Sequence, residues 1–451
     1  MPDLPNSVSI EELGRRLRAG ETRAVDLTET CLRRIDADAK RLNAFIHVMA
    51  DEARHQAIEA DRELAEGRDR GPLHGIPVAV KDLVDIQGVP TTAASRVREG
   101  HIARADAPVI MQLRQAGAIV IGKTNLHEFA YGTTSEDSAF GPVRNPHDPS
   151  RSPGGSSGGS AVAVATGMAL AALGTDTGGS IRIPASACGV VGLKPTYGEV
   201  SVDGVVPLSR TLDHVGPFAR TVSDAWVVYR ALVAPTEGVL PRAATVSALR
   251  LGLPRAYFCD LLDDEVRSRF ESALETLQRA GAQIDEVDVP HACATPAVYV
   301  HIHAAEGSEY HARMLDAAGD RYSPIVRLRL EMGRYILAGD YVRALNAREG
   351  LRREVDAAIG DCDGLMLPAL PIPAPPIGAE SVTVGRTEQP VRAMMLRCTQ
   401  LFNVTGHPAL SLPCGVTSQG LPCGLQLVGR RFETEALMRV ALAVEAQLST
   451  T

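Results

Sequence analysis

The sequence predicts an α/β protein, because short apolar segments typical of buried strands alternate with amphipathic helical segments along most of the chain. Polar residues follow two of these predicted strands directly. Lys81-Asp82 comes after the apolar segment 76–80, and Gly122-Lys123-Thr-Asn125 comes after the segment 118–121. Functional side chains of α/β proteins collect where strands end, so both clusters are expected at a functional edge of the sheet.

Local start and stop residues define the predicted elements. Ser9-Ile-Glu-Glu12 is a capping box that begins a helix, and Gly20 ends it. A second helix is expected at 22–35, then a strand at 44–49 and a charged helix that ends near Gly67. Further helices are predicted at 107–116, 161–167, 223–234, 263–280, through most of 295–360, and at 433–447; further strands are predicted at 169–173, 249–253, 284–289, 363–367, 409–413 and 421–428.

No internal repeat and no domain boundary interrupts this pattern. The proline-rich segment 368–376 is expected to be an extended surface segment and not a linker between domains. We therefore expect residues 1–451 to form one domain.

Composition excludes several classes of protein. The chain has 451 residues, 45% of them apolar, with a net charge of -8 and only 4% aromatic residues. An acidic chain without a basic tract is not expected to bind nucleic acid or an anionic membrane. Its first residues lack the basic and apolar regions of a secretory leader, and its eight cysteines form no C-x-x-C motif. These features predict a cytoplasmic protein with reduced thiols.

Lysine is rare in this chain. Only four of its 46 basic residues are lysines, namely Lys40, Lys81, Lys123 and Lys194. Arginine stays protonated in proteins, whereas a desolvated lysine can become a neutral base. Lys81, at the end of a predicted buried strand, is therefore a candidate base.

Two segments rich in glycine and serine, 154–160 and 178–180, permit three interpretations. A phosphate-binding loop is disfavoured, since no lysine follows in the Walker pattern and no strand precedes Gly154. A nucleophile elbow is disfavoured by the prolines before Gly154-Gly-Ser-Ser-Gly158, where that motif needs a strand. In the third interpretation, a neutral lysine accepts a proton through one serine from a second serine, which acts as the nucleophile. The backbone amides of Thr177-Gly-Gly-Ser180 would then face the developing oxyanion.

Three motifs closely resemble the signature of the amidase signature family. They are Gly154-Gly-Ser-Ser-Gly-Gly-Ser160, Gly174-Thr-Asp-Thr-Gly-Gly-Ser-Ile-Arg182 and Gly192-Leu-Lys-Pro-Thr196. Leu73-His-Gly-Ile-Pro-Val-Ala-Val-Lys-Asp82 resembles the strand that carries the catalytic lysine of that family. The likeness is strong over about 70–235 and weakens towards 295–360, which we expect to be a variable substrate-channel region. It implies the amidase-signature fold, with a large mixed β-sheet flanked by helices on both faces.

The resemblance also implies roles for individual residues. Lys81 matches the base, Ser156 the bridging serine with a cis peptide bond, and Ser180 the nucleophile that forms the acyl-enzyme. Thr177, Gly178 and Gly179 match the oxyanion hole.

Other residues near these motifs receive smaller roles. Ser157 is the alternative to Ser156 as the bridge, and it is also a candidate substrate contact. Asp176 and Arg182 are expected to form a structural ion pair, and Lys123 and Lys194 to anchor loops.

The implied reaction is the hydrolysis of a small carboxamide to the acid and ammonia, without metal or cofactor. His301, His303, Glu306 and His311 lack a metalloprotease motif, so we expect them to line or cover the substrate channel. A catalytically inactive protein with this fold is not expected, since the lysine and both serines are present. A homodimer is a candidate assembly, because dimers are common in the family.

Two substrate classes remain open. Asn125-Leu-His-Glu-Phe-Ala-Tyr-Gly132 resembles free-standing hydrolases of aryl amides, so Tyr131 and Gly132 are candidate substrate contacts. The alternative is the glutamine amidase subunit of a Glu-tRNA(Gln) or Asp-tRNA(Asn) amidotransferase. That subunit has an aspartate for the glutamine ammonium where this chain has Leu396. Leu396 and Phe402, with the neighbouring methionines 394 and 395, predict an apolar acyl pocket, so we favour the hydrolase.

Overall fold

The structure, a computed structural model, describes residues 8–233 and 240–449. Its β-strands are β1 (Phe45–Val48), β2 (Pro77–Lys81), β3 (Ile119–Thr124), β4 (Ala171–Asp176), β5 (Val191–Lys194), β6 (His214–Ala219), β7 (Arg250–Leu253), β8 (Gln283–Glu286), β9 (Gly364–Pro368), β10 (Ser381–Val384), β11 (Thr387–Pro390), β12 (Ala409–Val416) and β13 (Pro422–Val428). Eleven of these strands form one mixed sheet in the order β1-β3-β2-β4-β6-β5-β12-β13-β9-β7-β8, and β10 pairs with β11 as a separate hairpin.

Fourteen α-helices accompany the strands in the described residues. They are α1 (Ile10–Arg18), α2 (Ala24–Leu42), α3 (Ala50–Ala65), α4 (Pro108–Gln115), α5 (Gly158–Ala165), α6 (Arg182–Cys188), α7 (Val222–Val233), α8 (Asp264–Arg279), α9 (Thr295–Ala318), α10 (Pro324–Gly333), α11 (Ala338–Ile359), α12 (Val391–Leu396), α13 (Gln400–Val404) and α14 (Thr434–Leu448). Strands β2, β3, β4, β5, β6, β9 and β13 are buried along their whole length, so both faces of the sheet centre are covered. The fold class expected from the sequence is confirmed.

The pairing of β2 determines where the site forms. This strand lies between β3 and β4 and runs parallel to both. Parallel neighbours end at the same edge of a sheet, so Lys81 at the end of β2 lies beside the end of β4. The strand β6 pairs antiparallel with β4 and β5, which makes the sheet mixed.

Most predicted elements are present, with small changes at their ends. Ser9 caps α1 by accepting a hydrogen bond from the Glu12 amide, as the capping box predicts. Helix α2 continues past the predicted residue 35 to Leu42, where Asn43 in the left-handed conformation ends it. Residue 234 at the end of the predicted helix 223–234, and residues 1–7 of the N-terminus, lie outside the described residues.

The prediction for the proline-rich segment is wrong. Ala369, Leu370, Ile372 and Ala374 are buried, and neighbouring backbone groups are bonded to other parts of the chain. The carbonyl of Pro375, for example, accepts a hydrogen bond from the amide of Ser152. The apolar residues between the prolines give this extended segment an inner face, which composition alone did not indicate.

The long helices after β8 pack on one another beside the sheet. Helix α9 packs against α10 and α11, as expected for a mostly helical region between 295 and 360. Across the described parts of the chain, no helix has the length and apolar character needed to span a membrane.

Candidate active site

Lys81 lies at the end of β2 with its side chain fully buried. Its ammonium nitrogen Nζ is 2.8 Å from each of three hydroxyl oxygens, those of Ser156, Ser157 and Thr175. Burial lowers the pKa of Lys81 from 10.5 to about 7, although the charges of Asp176 and Asp213 oppose the shift. Burial therefore favours the unprotonated amine, which can act as a base.

The serine loop precedes α5 and packs tightly against residue 135. The peptide bond between Gly155 and Ser156 is cis. The Ser135 hydroxyl lies within hydrogen-bond distance of the carbonyls of Gly154 and Ser156, and it accepts from the amide of Gly158. These bonds hold Ser156 beside Lys81.

The second loop, Thr177-Gly-Gly-Ser180, connects β4 to α6. The Thr177 hydroxyl donates to Asp213 at 2.6 Å, and the Thr399 hydroxyl donates to the carbonyl of Gly178 at 2.7 Å. Gly179 has a φ of +138°, a conformation that side chains disfavour. Ser180 follows with 6% of its surface exposed. The loop is thus held at several points, as a preorganised oxyanion site requires.

A fully buried ion pair joins the two ends of this loop. Arg182 Nη2 is 2.9 Å from Asp176 Oδ1, so the predicted pair is present. Arg182 also donates to the Asn403 and Gln426 side chains and to the Thr399 carbonyl. The pair holds the pKa of Asp176 well below its usual range, despite burial.

The other two motif lysines anchor loops, as predicted. Lys123 Nζ lies 2.8 Å from Asp82 and 3.1 Å from the carbonyl of Pro90. Lys194 Nζ donates to the carbonyls of Pro195 and His407. Their amines are therefore occupied outside the Lys81 cluster.

A cavity of about 750 Å³ opens beside the second loop. Its lining includes Tyr131, Tyr299, His303, Arg329, Arg392 and Leu396. A Cβ atom placed on Gly178 would lie 2.5 Å from the Tyr299 hydroxyl and 3.1 Å from Leu396. The cavity wall therefore packs against the candidate oxyanion loop, although no residue of the loop 177–180 is itself part of the cavity lining.

Three of the predicted substrate contacts lie elsewhere. Phe402 is fully buried and stacks on Phe258 at 6.2 Å between ring centroids, so it is a core residue and not a pocket residue. Gly132 packs against the imidazole of His127 and does not line the cavity. Ser157 is bound to Lys81 and to the Thr175 carbonyl, away from the cavity lining. The other two candidates, at positions 131 and 396, are at the cavity.

The histidine-rich segment forms part of α9. His301 and His303 line the cavity, whereas His311 bonds to the Tyr322 hydroxyl and Glu306 accepts from the hydroxyls of residues 209 and 211. Burial lowers the pKa of His303 to about 3, so it is neutral. Within 8–233 and 240–449, no three His, Cys, Asp or Glu side chains group as metal ligands.

Comparison with known proteins identifies the family. The Amidase family model matches residues 26–438. The chain belongs to the amidase family. The resemblance drawn from the sequence motifs is confirmed, and so is the expectation of an enzyme that acts on C–N amide bonds.

Individual relatives fall into two functional groups. A glutamyl-tRNA(Gln) amidotransferase subunit from Chloroflexus aurantiacus is 40% identical over 466 residues, which cover 95% of this chain and 94% of the relative. A crystal structure of an amidase is also 40% identical, with a TM-score of 0.93, and the match covers 98% of this chain and 100% of that one. The corresponding amidotransferase subunit from Thermotoga maritima is 34% identical with a TM-score of 0.79, covering 98% and 94%.

Sequence reasoning missed several residues of this amidase site. Thr175 supplies the third hydroxyl to Lys81, Asp213 fixes Thr177, and Thr399 fixes Gly178. Thr175 lies inside a recognised motif, so strand periodicity at the end of β4 could have indicated it. Asp213 and Thr399 come from distant segments, and only the fold brings them to the loop.

The variant Phe402→Ala tests whether Phe402 is a core residue or a pocket residue. We expect Phe402→Ala to lower the free energy of unfolding by about 3–5 kcal/mol, since it leaves a cavity beside Phe258. Because Phe402 does not line the cavity, KM should stay near its original value. Leu396 is buried in the same core but also lines the cavity, so Leu396→Ala should lower stability and change KM as well. Denaturant unfolding and steady-state kinetics check both; a changed KM with unchanged stability for Phe402→Ala would place it in the pocket after all.

Proposed function

We propose that this chain hydrolyses a small carboxamide to the carboxylic acid and ammonia through an acyl-enzyme on Ser180. The observation that carries the proposal is the buried Lys81 amine. Its nitrogen lies 2.8 Å from the hydroxyl of Ser156, and burial lowers its pKa to about 7. In the first step Lys81 takes the proton of Ser156, and Ser156 takes that of Ser180. The Ser180 oxygen attacks the amide carbon, and the amides of the loop 177–180 stabilise the oxyanion.

The second half of the reaction reverses the relay. The proton passes from Lys81 through Ser156 to the amide nitrogen, the C–N bond breaks, and ammonia leaves. Water then loses a proton to the same relay and attacks the Ser180 ester, which releases the acid and restores the Ser180 hydroxyl. Lys81, Ser156 and Ser180 are catalytic, and the oxyanion hole consists of Thr177, Gly178 and Gly179.

Hydrogen bonding supports Ser156 over Ser157 as the bridge. The Ser157 hydroxyl donates to the Thr175 carbonyl at 3.1 Å, so its proton is already engaged. The Ser156 hydroxyl accepts from Lys81 and leaves its own proton available for transfer.

The substrate could belong to either of two classes. The curated relatives support glutamine and a role within an amidotransferase better than they support a free-standing hydrolase. The amidase structure with the TM-score of 0.93 and the apolar Leu396 in the cavity support a free-standing hydrolase. An amidotransferase subunit would need a partner that receives the ammonia, and the hydrolase would not.

We propose that the chain forms a single domain in either case, because one sheet contains strands from residue 45 to residue 428.

The pKa of Lys81 determines the pH dependence. Because the neutral amine is the base, and burial lowers its pKa to about 7, kcat/KM should be constant at alkaline pH and fall below pH 7. The fall should approach roughly tenfold per pH unit, as expected for one protonation. A pH–rate profile in constant-ionic-strength buffers measures it, and an inflection near 10.5, the ordinary lysine value, would contradict the assignment.

Substitutions at the relay test each role. Lys81→Arg keeps the charge but removes the base, so nearly all activity should be lost. Ser156→Ala should reduce the rate of Ser180 acylation by about 100- to 10,000-fold, the usual contribution of positioned proton transfer. Ser157→Ala is the matched control and should cost less; stopped-flow acylation measures all three. An unimpaired Ser156→Ala enzyme would move the bridge to Ser157.

The decisive experiment is ammonia release by the purified chain alone. The substrates are glutamine, aryl-acetamides, mandelamide, benzamide and aliphatic amides, with Ser180→Ala as the control. Release from an aryl or aliphatic amide that disappears in the control establishes a free-standing hydrolase. Release from glutamine alone supports the role within an amidotransferase. Release that persists in Ser180→Ala would refute the nucleophile.

A further inference from the structure

The cavity beside the oxyanion loop is lined by three arginines, none of which forms an ion pair with an acidic side chain of the described residues. Arg329 of α10 and Arg392 of α12 both line it, and no aspartate or glutamate is part of its described lining. Their guanidinium carbons lie 6.0 and 5.7 Å from the centroid of the Tyr131 ring. Asp137, whose charge acts on Arg329, pairs instead with His127 at 3.2 Å. These two cations thus lie, partly buried, in the wall of one open cavity.

This arrangement favours an anion. Burial and the charge of Arg392 lower the pKa of Arg329 to about 10, which reflects the cost of keeping both groups charged. Arg329 is fixed, since it donates to the carbonyl of Tyr131 at 2.7 Å. Arg392 contacts the Tyr131 ring face and makes no salt bridge within the described residues, so its five donors are available.

A third arginine in the same wall differs from these two. Arg397 donates twice to the carbonyl of Tyr257, at 2.9 and 2.6 Å, and stacks on that ring at 4.0 Å. Its guanidinium is occupied by the protein, whereas that of Arg392 is not.

Packed side chains connect the arginines with the candidate oxyanion loop. The ring of Tyr131 packs edge-on against His303, which stacks on Tyr299, and the hydroxyl of that tyrosine approaches Gly178. Leu396 lines the same cavity. An acyl group attacked at the oxyanion loop would extend along these side chains towards the guanidinium of residue 392.

We propose that Arg392 is a specificity-determining residue which selects half-amides of dicarboxylic acids, with an apolar spacer between the reacting amide and the free carboxylate. The inference rests on the proposed function and names its substrate class. The guanidinium of Arg392 binds the free carboxylate and Leu396 contacts the spacer. An α-ammonium group is disfavoured, because the described lining offers three arginines and no carboxylate to pair with it.

Three amides of equal chain length separate these contributions. Glutaramate carries the distal carboxylate, pentanamide lacks it, and glutamine adds an ammonium to it. Binding to the Ser180→Ala protein is measured by calorimetry, where no turnover occurs. Glutaramate should bind about 10- to 100-fold more tightly than pentanamide, the range for hydrogen bonds to a charged group. Glutamine should bind more weakly than glutaramate.

Two arginine variants, each made in the Ser180→Ala protein, test whether Arg392 causes the preference for glutaramate. Arg392→Gln should remove the preference for glutaramate over pentanamide, while pentanamide binding stays unchanged. Arg386→Gln alters the net charge equally at an exposed position outside the cavity and should keep the preference. Equal affinity for glutaramate and pentanamide, a preference that survives Arg392→Gln, or glutamine binding as tightly as glutaramate would overturn the inference.

Ammonia release by the unmodified chain distinguishes this inference from the proposed function. Faster release from glutaramate than from pentanamide or glutamine, lost in Ser180→Ala, supports both. Ser180-dependent release at equal rates from glutaramate and pentanamide keeps the proposed function and refutes the selection. No Ser180-dependent release from any amide, with the Arg392-dependent binding intact, refutes the proposed function and keeps the carboxylate site.

Discussion

The site depends on the burial of one amine without a counter-ion. An ammonium group removed from water is unstable unless it is paired, and Lys81 is surrounded by three hydroxyls, with no carboxylate of the described residues within hydrogen-bond distance. The protein therefore favours the neutral amine, which is the form that accepts a proton. The parallel pairing of β2 with β4 brings the end of β2 beside Thr175, and the serine loop closes the cage. Arginine in this position would stay charged, which explains why a chain so poor in lysine has one here.

The loops around that amine are held by contacts from distant segments. Asp176 and Arg182 form a buried pair that Asn403 and Gln426 complete, so the end of β4 is bonded to residues more than 200 positions away. Buried charges of this kind contribute little net stability compared with apolar groups. However, every buried donor and acceptor needs a hydrogen-bond partner, and one arrangement of the side chains provides them all. The network therefore defines the position of the loop 177–180. An oxyanion hole needs this rigidity, since its donors must be oriented before the charge develops.

The sequence predicted the fold class and the candidate relay because both depend on local patterns. Alternating strands and helices, and the spacing of Lys81, Ser156 and Ser180 in their motifs, are visible along the chain. The cavity depends on which apolar residues face inward after folding, and residue type does not distinguish Phe402 in the core from Leu396 in the wall. The same reason explains the buried proline-rich segment. No sequence pattern indicated a role for Arg392, because the aromatic ring and the second arginine beside it belong to other elements of the fold.

Reaction and specificity therefore reside in different parts of this amidase. The proposed relay lies at strand ends and in two loops of the sheet, whereas α9, α10 and α12 supply much of the cavity wall. An amidotransferase subunit and an amidase are each 40% identical to the chain over nearly its whole length, so overall identity does not determine the acyl group. The acyl group must be inferred from the second part, where charge is the most selective feature. Three guanidinium groups, apolar side chains such as Leu396 and no carboxylate in the described lining favour the proposed half-amide of a dicarboxylic acid over glutamine, which carries both charges at its distal end.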